Sequence, residues 1–208
     1  MNKRSSGPMT ATDLIAEIEQ RKRDDPEYRA RLERMEAERA EQLRQAREAE
    51  QPVLRELAGV GVEVETVWDL YKTPALAARA APTLLSQLAL VHPPRVVRAI
   101  VSALGGTIAR RHWAELATLY VQTTNDDVRD GAAALLSGCA IRAHYEELLS
   151  FIASESLGES RIYFLRPAHR IGNRISRGAG RTVISALADD DILGKEARAI
   201  LAGRSPRA

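Results

Sequence analysis

The chain predicts an all-α protein: an α-solenoid of about four helical hairpins behind an N-terminal helical extension. Three observations predict it. Four glycines, Gly105, Gly138, Gly172 and Gly203, recur at spacings of 33, 34 and 31 residues, each closing a similar Ala- and Leu-rich stretch, and self-similarity at that period marks stacked helical units. Only 4% of the 208 residues are aromatic while 45% are hydrophobic, a balance that suits packed helices better than a sheet. The length is enough for one continuous core.

Residues 1–9 read as a disordered tail. Met1 to Pro8 is basic with no apolar run behind it, so no signal peptide is expected. The extension covers 10–58. Thr10 and Asp13 form a capping-box start for a short helix over 10–23 with Leu14, Ile15 and Ile18 as its stripe. Asp24-Asp25-Pro26 ends it and starts the next, with Asp25 as N-cap. That second helix, Glu27 to about Leu57, is long and highly charged. Its apolar residues repeat at elevens, Leu32, Leu43, Leu54 and Met35, Ala46, Leu57, so the stripe runs nearly straight along the helix. Four-apart pairs, Glu27/Arg31, Arg29/Glu33, Arg34/Glu38 and Arg44/Glu48, add a little helix stability. Pro52 is a candidate kink. Two readings stay open: the extension caps the exposed end of the array, or its long helix projects and self-associates or meets another partner.

The repeat array covers 60–204, with 60–75 a degenerate leading unit in which Val64, Val67, Trp68 and Tyr71 share a face and Trp68 is core; 205–208 form a tail. First helices read 95–105, 128–138, 161–172 and 193–203. Val101, Ala134, Ala168 and Ala199 sit four before the glycines, allowing close helix approach, and each glycine is expected to end its helix in the left-handed conformation. Second helices are WAELATLYVQ, YEELLSFIAS and GRTVISALAD. The match of Arg110-x-His112-Trp113-x-Glu115-Leu116 to Arg142-x-His144-Tyr145-x-Glu147-Leu148 is close. Turns at His92-Pro93-Pro94, Asn125-Asp126-Asp127 and Asp189-Asp190-Asp191 lead back into first helices, with Asp and Asn as caps.

The turn-Val-Arg opening Asp126-Asp127-Val128-Arg129, the first helix ending in Gly138 and the Leu-rich second helix resemble HEAT repeats of the armadillo-type α-solenoid family. The layout is similar to small HEAT-repeat proteins of high-GC bacteria. The resemblance spans about 75–203 and implies a non-enzymatic protein-binding scaffold or adaptor, a class that includes inhibitors and immunity-type partner binders. Within the wider family, lyase-like and DNA-glycosylase-like members imply the enzymatic alternatives. Pro167 fits the family as a kink inside a first helix.

Charge supplies the candidate site. Loops within repeats carry Arg110, Arg111 and His112, then Arg142 and His144, then Arg174, Arg177 and Arg181, whereas loops between repeats carry Asp126, Asp127, Glu155, Glu159 and Asp189 to Asp191. Between Glu159 and Asp189 there is no acid, while Arg161, Arg166, Arg170, Arg174, Arg177 and Arg181 add six positive charges. Such a ridge suits an acidic protein segment or, as the alternative function, a nucleic-acid backbone. Acids at helix N-termini also follow from the helix dipole, and so do some of the bases near C-termini. The net charge of +2 does not by itself imply nucleic acid, and 26 Arg against 4 Lys fits a GC-rich genome. His112/Glu115 and His144/Glu147 share helix faces but repeat as a pair, which packing explains without a metal. Ser176 to Arg181 resembles a phosphate cradle only superficially, lacking the Walker lysine. No cofactor and no catalytic residue are predicted. A lone Cys139, read as core, fits a reducing compartment, and no apolar run reaches a membrane-spanning length; the expected location is cytoplasmic.

Overall fold

A computed structural model of the chain describes residues 10–203; the two expected tails and the leader reading lie outside them. Every regular element among the described residues is helical, so the all-α expectation holds. The chain divides into two compact units between Glu48 and Ala49, inside a helix.

In the first unit, α1 (Ala11–Asp24) starts from the expected capping box: Thr10 Oγ1 accepts from the Asp13 N–H at 3.2 Å and the Thr10 N–H donates to Asp13 Oδ2 at 3.1 Å. Asp25 caps α2 (Pro26–Gly59) by accepting from the Tyr28 N–H at 2.9 Å. Of the four predicted ion pairs along α2, only Arg44–Glu48 forms, at 2.5 Å, and Arg44 also reaches Glu41 at 2.6 Å. Arg34 turns back to the Ala30 carbonyl instead. α1 has no buried residue, and α2 none before Glu50.

The second unit begins with the last turns of α2, where Val53 and Leu57 are fully buried. α2 continues past Pro52 to Gly59. Gly61, at φ +75°, takes the left-handed turn after it. A 3-10 helix, Val67–Lys72, follows. It corrects the Trp68 expectation: three residues per turn put Val67 and Leu70 on the inner face, both 0% exposed, and leave Trp68 at 38% and Tyr71 at 69%. Its N-terminal Val67 N–H donates to the buried Glu50 carboxylate at 3.1 Å, tying the 3-10 helix to the end of α2.

Next come α3 (Pro74–Leu88), α4 (Pro94–Ala103), α5 (Thr107–Arg111) and α6 (Trp113–Gln122). α7 (Asp126–Cys139), a 3-10 turn Arg142–His144 and α8 (Tyr145–Ala153) follow. The chain ends with a 3-10 stretch Glu155–Phe164, α9 (Leu165–Ile175), α10 (Ala179–Ala186) and α11 (Gly194–Leu201). Predicted caps form where expected: Asn125 Oδ1 accepts from the Val128 N–H at 3.2 Å, and Asp190 Oδ1 from those of Ile192 and Leu193 at 2.8 and 2.7 Å. One apolar core runs through α2 to α11 of this unit and includes Cys139. At its centre Tyr120, Phe151 and Phe164 meet with centroids 5.1 Å apart in each pair. Phe164 is fully buried, and truncating such a ring costs about 3–5 kcal/mol.

The marker glycines are not equivalent, which corrects the reason given for their period. Only Gly203 has the left-handed backbone, at φ +70°; after α4 that role falls to Gly106, not Gly105. Gly138 lies inside α7. Gly172 is buried within α9, where a Cβ would lie 2.6 Å from the Tyr145 hydroxyl oxygen and 2.8 Å from Gly180. The small-residue positions divide too: Ala168 is fully buried, the other three are half-buried, and α4 meets α7 closely where Gly131 faces Val101. Pro167 sits in the first turn of α9, where its missing N–H leaves no bond unmade, and is not an interior kink.

Candidate functional site

Short connections place the arginines. Gly106, at φ +68°, admits α5, and Arg110 and Arg111 occupy its last turn. Arg110 Nε donates to the Cys139 carbonyl at 3.2 Å, capping α7. Arg142 begins the 3-10 turn three residues further on. Tyr145, at the start of α8, puts its hydroxyl against Gly172 of α9, which in turn touches Gly180 of α10. These contacts stitch the connections around 110, 142 and 174–181 along one side of the unit. Arg174 closes α9, Arg177 lies between α9 and α10, and Arg181 is in the first turn of α10.

All six predicted site arginines, Arg110, Arg111, Arg142, Arg174, Arg177 and Arg181, are exposed. Among the described residues none of them forms an ion pair; in this unit Arg129 pairs with Asp126 and Arg166 with Glu196. The six-arginine run read from 161 to 181 therefore splits. Arg161 is 4% exposed and donates to the Ile152 and Gly158 carbonyls at 3.1 and 3.0 Å, holding the end of α8. Arg166 meets Glu196 at 2.6 Å. Neither contributes to a recognition surface, because their guanidinium groups are already engaged inside the fold. Arg170, Arg174, Arg177 and Arg181 remain exposed.

The acidic corners behave differently. Asp190 is held below the usual carboxylate range by the Leu193 and Ile192 N–H bonds, and the Arg161 charge adds to this. Asp130 is pushed up by burial and by its neighbours Asp126, Asp127 and Glu159. The Asn125–Asp127 corner lies at the far end of α6 from Arg110, a helix of about 15 Å.

One assembly escaped the sequence reading. The Trp113 ring stacks on His144 with centroids 3.6 Å apart and planes 16° from parallel, and its indole N–H donates to Glu147. Burial pushes the His144 imidazole below its usual value; Glu147 pulls it up and Arg110 pushes it further down. His144 Nδ1 accepts from the Ile141 N–H at 3.4 Å. The signal was present in the repeated Arg-x-His-Trp/Tyr-x-Glu motif. What it lacked was any sign that Trp113 of one copy engages the His and Glu of the next. His112 bonds its own Glu115 at 2.6 Å instead. Glu147 is thus occupied by an indole and Glu115 by its neighbour, and the described residues contain no cluster of three metal-ligating side chains.

Ser176 to Arg181 shows why its glycines are there. Gly178 is left-handed at φ +85°, and a Cβ on Gly180 would collide with the His169 carbonyl oxygen. Both serve the α9–α10 turn. A separate open groove of about 440 Å³ between α3 and α6 is lined by Leu85, Ala89, Glu115, Thr118, Leu119 and Thr123 among others. No described helix is long and apolar enough to cross a membrane. No protein-family model, curated protein or solved structure matches the chain.

Proposed function

We propose that the helices from Pro74 onward form a stack of HEAT-like hairpins acting as a non-enzymatic scaffold, and that its arginine-bearing side binds an acidic segment of a partner protein. Two side-chain relations support the stacking. Trp113, first residue of α6, contacts His144 and Glu147 around the start of α8. Tyr145, its counterpart in α8, places its hydroxyl against Gly172 of α9, which packs on Gly180 in the first turn of α10. Each of the two thus reaches into the unit that follows its own.

The observation that carries the binding reading is the set of exposed arginines with no carboxylate partner. Held at helix ends and in the turns between them, they meet a partner with little ordering cost. A protein segment is favoured over a nucleic acid because the aromatics nearest this side, Trp113 and Tyr145, are buried and so offer no face for base stacking. Titrating the full chain with a Glu-rich peptide and, in parallel, with duplex DNA tests this. Peptide binding that weakens about tenfold or more when Arg174, Arg177 and Arg181 become Glu supports it. Absent peptide binding at low salt rejects it. Tighter binding to duplex, with a steep salt slope, replaces it with the nucleic-acid reading.

A further inference from the structure

The part of α2 before Ala49 carries an apolar stripe with no fully buried member, although at its start the Arg21 guanidinium lies over the Tyr28 ring at 4.5 Å. Met35 is 54% and Leu43 45% exposed, while Leu32 and Ala46 are half-buried. At 3.6 residues per turn Leu32, Met35, Arg39, Leu43 and Ala46 fall within about 80° of arc, with Glu36 beside them. Further along, Leu54 and Leu57 continue the same eleven-residue series and join the core of the second unit. One stripe is therefore used inside the fold at one end and offered to solvent at the other.

The charged residues in the offered half say what fits it. In a parallel, in-register pair, Arg39 would face Arg39 of the other copy at the centre of the seam. An antiparallel pair centred between Ala37 and Glu38 has no such clash. It sets Leu32 against Leu43 of the second copy. The same register brings Arg39 to Glu36 of the second copy, and the two-fold symmetry repeats each contact. We propose that α2 pairs with a second copy of itself in this antiparallel register, making the protein a weak, isologous dimer. The seam is short and contains an ion pair, so its strength depends on salt and its specificity on the Glu36–Arg39 match.

The test uses the full chain. Sedimentation equilibrium at rising concentration should show a monomer–dimer equilibrium. Glu36→Arg or Arg39→Glu alone should weaken it about tenfold, since each creates two like-charge contacts per dimer. An equimolar mixture of the two variants should recover it, which an effect on helix propensity would not do. Circular dichroism confirms that each variant keeps its helix content. As a second readout, a mixture of Leu32→Cys and Leu43→Cys chains should cross-link faster than either variant alone. The wild type, whose lone Cys139 is buried, serves as the blank. A chain monomeric at every concentration, no rescue in the mixture, or faster cross-linking of each cysteine variant with itself overturns the proposal.

Discussion

At the Asn125–Asp127 and Asp189–Asp191 corners, polar side chains complete the fold: Asn125 and Asp190 cap helices, and Asp126 pairs with Arg129 at 2.7 Å. At the other end of the same helices, Arg111, Arg142, Arg174, Arg177 and Arg181 are exposed and form no ion pair among the described residues. Both charge patterns read alike in the sequence, as residues suited to helix ends. The difference teaches that position relative to orphan backbone groups, and not charge density, separates a structural ion from one available to a partner. Arg161 makes the point within one residue type, since it lies in the same acid-free run as Arg174 yet is held by two carbonyls.

That contrast can be broken in graded steps. The largest effect is expected from Arg161→Ala, which leaves buried carbonyls without donors and should cost about 3 kcal/mol in chemical denaturation. Arg174→Ala should stay within about 0.5 kcal/mol, and equal losses from the two would erase the distinction. Gly180→Ala forces a methyl group onto the His169 carbonyl and should cost about 2 kcal/mol, while disturbing the geometry of Arg177 and Arg181. An unchanged midpoint would show that α9 and α10 do not approach as described.

Titration sharpens the comparison further. The folded pKa of His144 lies below the unfolded value of 6.5. Its contribution is therefore complete above pH 6.5 and declines as pH falls through that value, because the unfolded chain takes up the proton first. The stability of His144→Phe should show less of that decline; an identical pH profile would contradict the lowered pKa of this half-buried imidazole. Asp190 gives a smaller effect of the same sense at lower pH. Its folded pKa lies under the unfolded 3.8, so its contribution is present above 3.8 and fades as pH falls through the folded value. Thermal melts of Asp190→Ala should lose that acid-dependent component.

The helices themselves were legible in the sequence because each carried a local signature. Thr10/Asp13, Asp25/Pro26 and Asn125 mark starts that the structure reproduces within a residue or two, while Asp190 bonds the turn that leads into α11. The 3-10 segments were not legible, since nothing in the periodicity of Val67 to Lys72 separates three residues per turn from 3.6, and Trp68 was misplaced for that reason. The glycine period was real but its cause was not uniform: a turn at Gly203, a close approach at Gly172, and open space beside Gly138. At the candidate site, the sequence placed the six arginines in connections, whereas Arg110 and Arg111 close α5, Arg174 lies in the last turn of α9 and Arg181 in the first turn of α10. The engagement of Arg161 and Arg166 depended on contacts with Ile152 and Glu196, and the latter is 30 residues away, beyond the reach of any local pattern.

The most direct test follows the arginine side-chain Nε–Hε resonances by NMR while the Glu-rich peptide is added to the full chain. Recognition through the free arginines predicts shifts concentrated at Arg111, Arg142, Arg174, Arg177 and Arg181, with Arg161 and Arg166 unmoved. Shifts spread evenly over all arginines, or confined to those already bonded within the fold, would contradict it.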